Sequence, residues 1–204
     1  MINLSEAISA LSKGEIIVYP TDTLYGLGAD IFNDNAVKKI FKIKKRPTNI
    51  PISIAVSNIL ELEKIANVDE RTRLIVKHFL PGKLTLILEK KDFISDIITS
   101  NSKKVAIRIP NNKIALSLLK QFGPLTCTSA NIHGKDTPTV IKDINMQFTK
   151  KEIALYLDDG EIKGKPSTII DMSIKNPKII REGDIFKKEI LEVLKNGWWS
   201  LWKI

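Results

Sequence analysis

The sequence is poor in the residues that build disulfides, metal centres and membrane spans. Its 204 residues include one cysteine, Cys127, and two histidines. A single cysteine excludes an internal disulfide and fits a reducing compartment, and so few soft ligands leave little for a zinc site. No apolar run approaches the ~18 residues of a membrane span, and the N-terminus lacks a basic region followed by an apolar stretch. We therefore expect a cytoplasmic protein with no membrane partner and no metal-binding residues of its own.

Acidic residues are outnumbered, and aromatic residues are scarce. The 32 lysines and arginines exceed the 23 aspartates and glutamates and give a net charge of +9, while aromatic residues make up 6% of the chain. Such a surplus favours polyanionic partners such as nucleotides and RNA, although a lysine-rich surface without any partner explains it equally well. Six cations fall within nine residues that contain no acid: Lys38, Lys39, Lys42, Lys44, Lys45 and Arg46.

Helical and strand-like hydrophobic patterns are interleaved along the chain. Helices are predicted at 4–11, 33–46, 59–66, 69–79, 112–122 and 185–195, and strands at 15–19, 52–56, 84–88, 105–109, 124–128, 154–157, 168–172 and 178–181. Several late strands have no helix between them, which predicts a single-domain α/β (α+β) fold with a mixed sheet. Gly197 is expected to end the last helix, so that 1–196 form the domain and 197–204 a tryptophan-rich tail packed against it. A tail that covers the mouth of a binding cavity, or one that binds a partner or a second subunit, is the alternative.

The stretch Pro20-Thr-Asp-Thr-Leu-Tyr-Gly-Leu-Gly28 follows an apolar strand and contains two threonine hydroxyls, a carboxylate and two glycines. Hydroxyls and loop N–H groups can hold a small polar ligand, and glycines let the backbone approach it. An elaborate turn in which Asp22 satisfies its own loop is an equally good interpretation. The stretch is not a P-loop, because no Gly-Lys-Ser/Thr follows at the required spacing.

Two further stretches place cations where an anion could bind. Lys44-Lys-Arg-Pro47 ends a basic helix, and Arg46 offers a planar fork for phosphate, although a solvated helix end is the usual fate of such a run. Arg108 lies within the apolar strand Val105–Ile109, on the face of Ala106. A cation there needs either a protein carboxylate or an anionic ligand as its partner.

Hydroxyl-rich loops follow in the second half of the chain. Thr126-Cys-Thr-Ser-Ala-Asn131 precedes His133-Gly134 and Thr137-Pro-Thr139, and Pro166-Ser-Thr168 begins a strand. A thiol–base pair of Cys127 and His133 is conceivable, but a small buried residue is the more usual role of such a cysteine. Asp158-Asp-Gly160 could bind magnesium, but acidic segments of this kind are more often turns.

The joint order of these stretches is more specific than any one of them. Pro-Thr-Asp-Thr-x-Tyr-Gly-Leu-Gly, Lys-x-Arg-Pro, Val-Ala-x-Arg-x-Pro, Thr-Ser-Ala-Asn, Asp-Asp-Gly with Ser-Thr, and Arg-Glu-Gly resemble the YrdC-like family of threonylcarbamoyl-AMP synthases over residues 5–190. The resemblance implies a twisted mixed sheet that lines a concave, positive cavity. It also implies the conversion of L-threonine, bicarbonate and ATP into threonylcarbamoyl-AMP and pyrophosphate, in a short form without the second C-terminal domain of longer members.

The resemblance also implies roles for individual residues. It gives catalytic roles to Lys44 and Arg46, and threonine-binding roles to Thr23, Arg108, Cys127 and Ser167. It assigns nucleotide binding to Arg46, Ile50, Lys104, Ser129, Asn131, Thr137 and Arg181, with Ile50 limited to backbone contacts. It implies Mg²⁺ with ATP as the only cofactor, and as partners a downstream transferase that modifies adenosine 37 of tRNA and weakly bound tRNA.

Two other functions remain open at the level of the sequence. A basic RNA-binding module without catalytic activity would explain the charge, but the few aromatic residues offer little for base stacking. A YrdC-like unit also occurs in hydrogenase-maturation carbamoyltransferases, which would need further domains for carbamoyl phosphate.

Overall fold

Helices and strands are interleaved along the chain. A computed structural model describes residues 3–149 and 151–201. The helices are α1 (Leu4–Ser12), α2 (Asp34–Lys44), α3 (Ile59–Ile65), α4 (Glu70–Phe79), α5 (Asp96–Thr99), α6 (Lys113–Phe122), α7 (Ile141–Gln147) and α8 (Lys187–Leu201). The strands are β1 (Ile17–Tyr19), β2 (Gly26–Gly28), β3 (Ile54–Ala55), β4 (Leu84–Glu89), β5 (Lys104–Arg108), β6 (Leu125–Thr126), β7 (Thr128–Ser129), β8 (Leu155–Tyr156), β9 (Thr168–Asp171) and β10 (Lys178–Arg181).

The strands form two mixed sheets where a single sheet was predicted. A four-stranded sheet has the order β7-β2-β1-β8, and a six-stranded sheet has the order β10-β9-β4-β5-β3-β6. Parallel pairs join β1 to β8, β3 to β5 and β4 to β9, which confirms the mixed α/β class. The buried Thr126 hydroxyl of β6 donates to the Leu27 carbonyl of β2 and accepts from the Ala29 N–H, which links the two sheets.

Most predicted helix starts are confirmed by side-chain caps. Asn33, Asn58, Asp69 and Asn112 each accept a hydrogen bond from a backbone N–H in the first turn of the following helix. Such a cap satisfies a donor that has no partner within the helix. α2 ends at Lys45, whose φ of 50° is left-handed, so the chain turns before Arg46 and Pro47.

Some elements differ from the sequence-based expectation. β2, α5, β7 and α7 were not predicted, and the prediction that Gly197 ends the last helix was wrong, because α8 continues to Leu201. Glycine in a helix interior costs about 1 kcal/mol relative to alanine, which neighbouring residues can offset. The division into 1–196 and 197–204 stays a prediction, and the packing of the tryptophan side chains lies outside the described residues.

Apolar side chains fill the space between the sheets and the helices. Leu86, Ile107 and Ile170 are buried on three neighbouring strands of the six-stranded sheet, while Leu11 of α1 and Leu118 of α6 belong to a second buried cluster. These strands provide a rigid base from which polar side chains can project. None of the described helices has the length and apolar character that crossing a bilayer would require.

Candidate active site

Loops from both sheets enclose a cavity of about 330 Å³. Its walls bring together side chains that are far apart in sequence, from the loop after β1 to the end of β10. Predicted site residues that line it are Thr23, Arg46, Arg108, Cys127, Ser129, Thr137, Ser167 and Arg181. Apolar contact is provided by side chains such as Ile87, Ala106 and Ile169 on three adjacent strands. The cavity therefore combines cations, hydroxyls and an apolar wall, as a site for a small charged ligand requires.

Arg108 lies at one end of β5 and is 5% exposed. Its Nη2 donates to Asp22 Oδ1 at 2.6 Å, and its Nη1 donates to Thr23 Oγ1 at 2.8 Å. Arg108 thus has the protein carboxylate that one sequence-based alternative required, and it also lines the cavity, while an anionic ligand as a further partner stays a prediction. Asp22 accordingly pairs across the fold rather than within its own loop.

The loop after β1 is held in a compact turn by Thr21. The Thr21 hydroxyl donates to the Leu24 carbonyl at 2.6 Å and accepts from the N–H groups of Thr23 and Leu24 at 3.2 Å. Gly164 passes so close above this turn that a side-chain carbon there would overlap the Thr23 carbonyl oxygen. Thr23 is therefore fixed from below by Thr21 and from above by the segment before β9.

Lys44 is 1% exposed and directs its ammonium away from the cavity. Its Nζ donates to the carbonyls of Ser129 and Asn131 and, at 3.3 Å, to Asn131 Oδ1. An ammonium has three N–H donors, so these acceptors leave none for a phosphate. Burial and the nearby Arg46 charge lower the pKa of Lys44 from 10.5 to about 7. Lys44 thus holds the loop that carries Ser129 and Asn131, and its catalytic role stays a prediction.

Arg46 and Arg181 line the cavity and are each tied to backbone carbonyls. Arg46 donates from Nε to the Ile50 carbonyl at 3.0 Å and from Nη2 to the Pro51 carbonyl at 2.9 Å. Arg181 donates from Nε and Nη2 to the Ser167 carbonyl at 3.1 and 2.9 Å. Burial lowers the pKa of both guanidinium groups, and the Arg108 charge lowers that of Arg181 further. Fixed, partly desolvated guanidinium groups are suited to binding phosphate oxygens.

Three residues expected at the nucleotide lie outside the cavity walls. Lys104 is at the far end of β5 and donates to Asp171 Oδ2 at 2.8 Å. Asn131 uses its side chain within its own loop, accepting from Ser129 Oγ at 2.6 Å and donating to the Lys135 carbonyl at 2.6 Å. The Ile50 carbonyl accepts from Arg46 Nε at 3.0 Å. Nucleotide contacts by these residues stay predictions.

Two polar residues of the site were missed at the level of the sequence. Thr85 lies in the apolar strand β4, and its hydroxyl is 2.7 Å from Ser167 Oγ in the cavity wall. A lone hydroxyl among leucines could have signalled it.

The second missed residue is Tyr25. Its hydroxyl contacts the Gly160 carbonyl at 2.7 Å and the Asp159 N–H at 2.9 Å. Burial raises the pKa of Tyr25 to about 12, so its hydroxyl stays protonated near neutral pH.

The acidic segment Asp158–Gly160 is a turn. Asp158 Oδ1 accepts from the Gly160 N–H at 2.9 Å, and Asp159 Oδ2 accepts from Asn112 Nδ2 at 2.8 Å. Across residues 3–149 and 151–201, no group of three histidine, cysteine or acidic side chains could enclose a metal ion.

Known proteins resemble this chain in sequence and in fold. A protein of Methanocaldococcus jannaschii is 45% identical over 176 residues, which cover 85% of this chain and 82% of that protein. The threonylcarbamoyl-AMP synthase of Pyrococcus abyssi is 37% identical over 92% of this chain, but this chain spans only 56% of its length. The crystal structure of P. abyssi Sua5 complexed with L-threonine superposes with a TM-score of 0.89 at 35% identity, over 93% of this chain and 56% of that one.

The family model described as telomere recombination, Sua5/YciO/YrdC, matches residues 9–183. That interval contains every cavity-lining residue named above. The match extends over most of the chain, and the six ordered motifs predicted the same grouping. The chain thus belongs to the Sua5/YciO/YrdC family.

Proposed function

We propose that this protein is an enzyme that forms threonylcarbamoyl-AMP and pyrophosphate from L-threonine, bicarbonate and ATP, which makes it a nucleotidyltransferase in tRNA processing. The proposal rests on one observation. A single cavity is lined by Arg108 and the hydroxyl residues Thr23 and Ser167, and also by Arg46 and Arg181. The relative from Pyrococcus abyssi is named threonylcarbamoyl-AMP synthase, and the crystal structure of P. abyssi Sua5 is a complex with L-threonine.

The proposed reaction has two bond-forming steps. The threonine amine attacks the carbon of bicarbonate and, with loss of water, gives a carbamate. A carbamate oxygen then attacks the α-phosphorus of ATP, and pyrophosphate leaves with the electron pair of the broken P–O bond. Such chemistry needs mainly positioning and charge neutralisation.

The cavity supplies both of these. Following the family resemblance, we assign Arg108, Thr23 and Ser167 to threonine and Arg46, Ser129, Thr137 and Arg181 to the phosphates and the ribose, and all seven line the cavity. Because ATP enters as its magnesium complex, protein carboxylates are not required around the metal. The proposal further includes action in the cytoplasm and handover of the product to a transferase that acts on tRNA.

The cavity supports this function better than the RNA-binding alternative. Arg108 and Thr23 are 5% and 2% exposed, so they lie too deep to contact the backbone of a folded RNA. Their burial suits a ligand the size of an amino acid. Weak tRNA binding on the exposed cations of α2 remains compatible with the proposal.

The experiment is pyrophosphate release from MgATP by the purified protein. Release should require both L-threonine and bicarbonate, and omission of either should reduce it to background. ATP turnover that is indifferent to threonine, in protein shown to be folded, would contradict the proposal.

A further inference from the structure

Asp22 is a buried carboxylate beside the cavity to which the family resemblance gives no role. The Asp22 side chain is 10% exposed and that of Arg108 is 6% exposed, so little water separates their charges. Asp22 Oδ1 accepts from Arg108 Nη2, whereas Asp22 Oδ2 has no hydrogen-bond partner. A buried carboxylate with an unsatisfied oxygen is costly to keep, so a purpose beyond packing is expected.

Asp22 restricts the position of the Arg108 guanidinium. With Nη2 held by Asp22 and Nη1 bonded to Thr23, the plane of the guanidinium is fixed at two points. Nε is buried and has no partner. Because Nη2 donates its second hydrogen to the Gly82 carbonyl at 3.4 Å and Nε is buried, the second hydrogen on Nη1 is the donor that remains for a ligand anion in the cavity.

The same contacts determine the position of the Thr23 hydroxyl. Thr21 Oγ1 donates its one proton to the Leu24 carbonyl and accepts from the N–H groups of Thr23 and Leu24, so its hydrogen-bonding capacity is used within the turn. Thr23 Oγ1 accepts from Arg108 Nη1 at 2.8 Å, which fixes this hydroxyl beside the guanidinium.

We propose that Asp22 is a positioning residue that holds Arg108 and, through it, the Thr23 hydroxyl in place for the amino-acid substrate. This inference rests on the proposed function for the identity of the substrate. The Nη1 hydrogen that is left over faces the ligand carboxylate, so Asp22 acts on threonine binding through the direction of this one donor.

Calorimetric titration with L-threonine and, separately, with MgATP tests the proposal without requiring turnover. Asp22→Asn keeps the shape of the side chain but removes the charge that fixes Arg108, and should weaken threonine binding by about 10- to 100-fold, the range for losing one charge-assisted hydrogen bond. MgATP affinity should stay within about threefold, since Arg46 and Arg181 are not bonded to Asp22.

Two further variants complete the experiment. Thr21→Val removes the hydroxyl that holds the turn beneath Thr23, and should weaken threonine binding in the same selective way even if Asp22→Asn does not fold. Asp69→Asn is the matched control, because Asp69 caps α4 and is paired with Arg71, and none of these lines the cavity. It should leave both affinities unchanged.

The outcomes separate the inference from the proposed function. Equal threonine affinity in wild type and Asp22→Asn overturns the positioning role, and so does an equal loss of threonine and ATP affinity. Wild-type protein that releases pyrophosphate while Asp22→Asn binds threonine normally would leave the function standing and the inference refuted. Wild-type protein that binds no threonine would refute both.

Discussion

Replacement of Lys44 by methionine should change the pH dependence of stability in a way that no exposed lysine could. The ammonium is almost fully buried, and burial with the Arg46 charge lowers the pKa of Lys44 from 10.5 to about 7. Between these two pH values the unfolded chain binds a proton that the folded chain does not. The unfolding free energy therefore rises with pH in this window, by about 1.4 kcal/mol per unit.

The expected magnitude can be worked out for two practical conditions. From pH 6 to pH 9, titration of Lys44 should stabilise the wild type relative to Lys44→Met by about 2–3 kcal/mol. Below pH 7 the charged form is present in both states, so the full cost of burying it applies. Methionine has a similar length and no titrating group, so all other pH effects cancel in the comparison.

Urea unfolding of both proteins at pH 6 and pH 9 measures this difference directly. Lys42→Met is the matched control, since Lys42 is exposed on the same helix. Its unfolding free energy should follow that of the wild type at both pH values. Parallel pH dependence of wild type and Lys44→Met would refute the reasoning.

Three further predictions concern activity and stability. Arg46→Ala and Arg181→Ala should each reduce kcat by about 10²–10³-fold in steady-state assays, as the loss of one preorganised donor does. Wild-type rates in both variants would mean that these arginines are only surface charges. The kcat/KM value for serine should be about 10–200 times lower than that for threonine, and the value for valine at least ~10⁴ times lower. Similar values for serine and valine would contradict a site that forms a hydrogen bond with the substrate hydroxyl. Tyr25→Phe leaves the Asp159 N–H and the Gly160 carbonyl without their partner. The unfolding free energy measured in urea should therefore fall by about 1–3 kcal/mol, and an unchanged value would mean that water replaces the hydroxyl.

Local signals in the sequence predicted much of the fold. Asn58, Asp69 and Asn112 begin helices because their side chains cap them, which is a property of a few neighbouring residues. Arg108 was recognisable because a cation in an apolar strand needs a partner. β2 was missed because Gly26-Leu-Gly28 has little strand propensity, and pairing with β1 and β7 makes it a strand.

Long-range packing decided what the sequence could not predict. The run of cations on α2 was open to being a solvated face, and Lys38, Lys39 and Lys42 are indeed exposed. Lys44 differs because a loop 85 residues later places its carbonyls over the ammonium. Likewise, the pairing of Asp22 with Arg108 joins two motifs 86 residues apart, which spacing alone could not show.

The central claim is that one cavity joins threonine, bicarbonate and ATP into a single product. Incubation of the protein with ¹³C-labelled bicarbonate, L-threonine and MgATP, followed by mass spectrometry, tests it most directly. The account predicts an adenylate that contains threonine and one ¹³C atom, and that is lost when Arg108 is replaced by alanine. An unlabelled adenylate, or AMP without any threonine adduct, would contradict it.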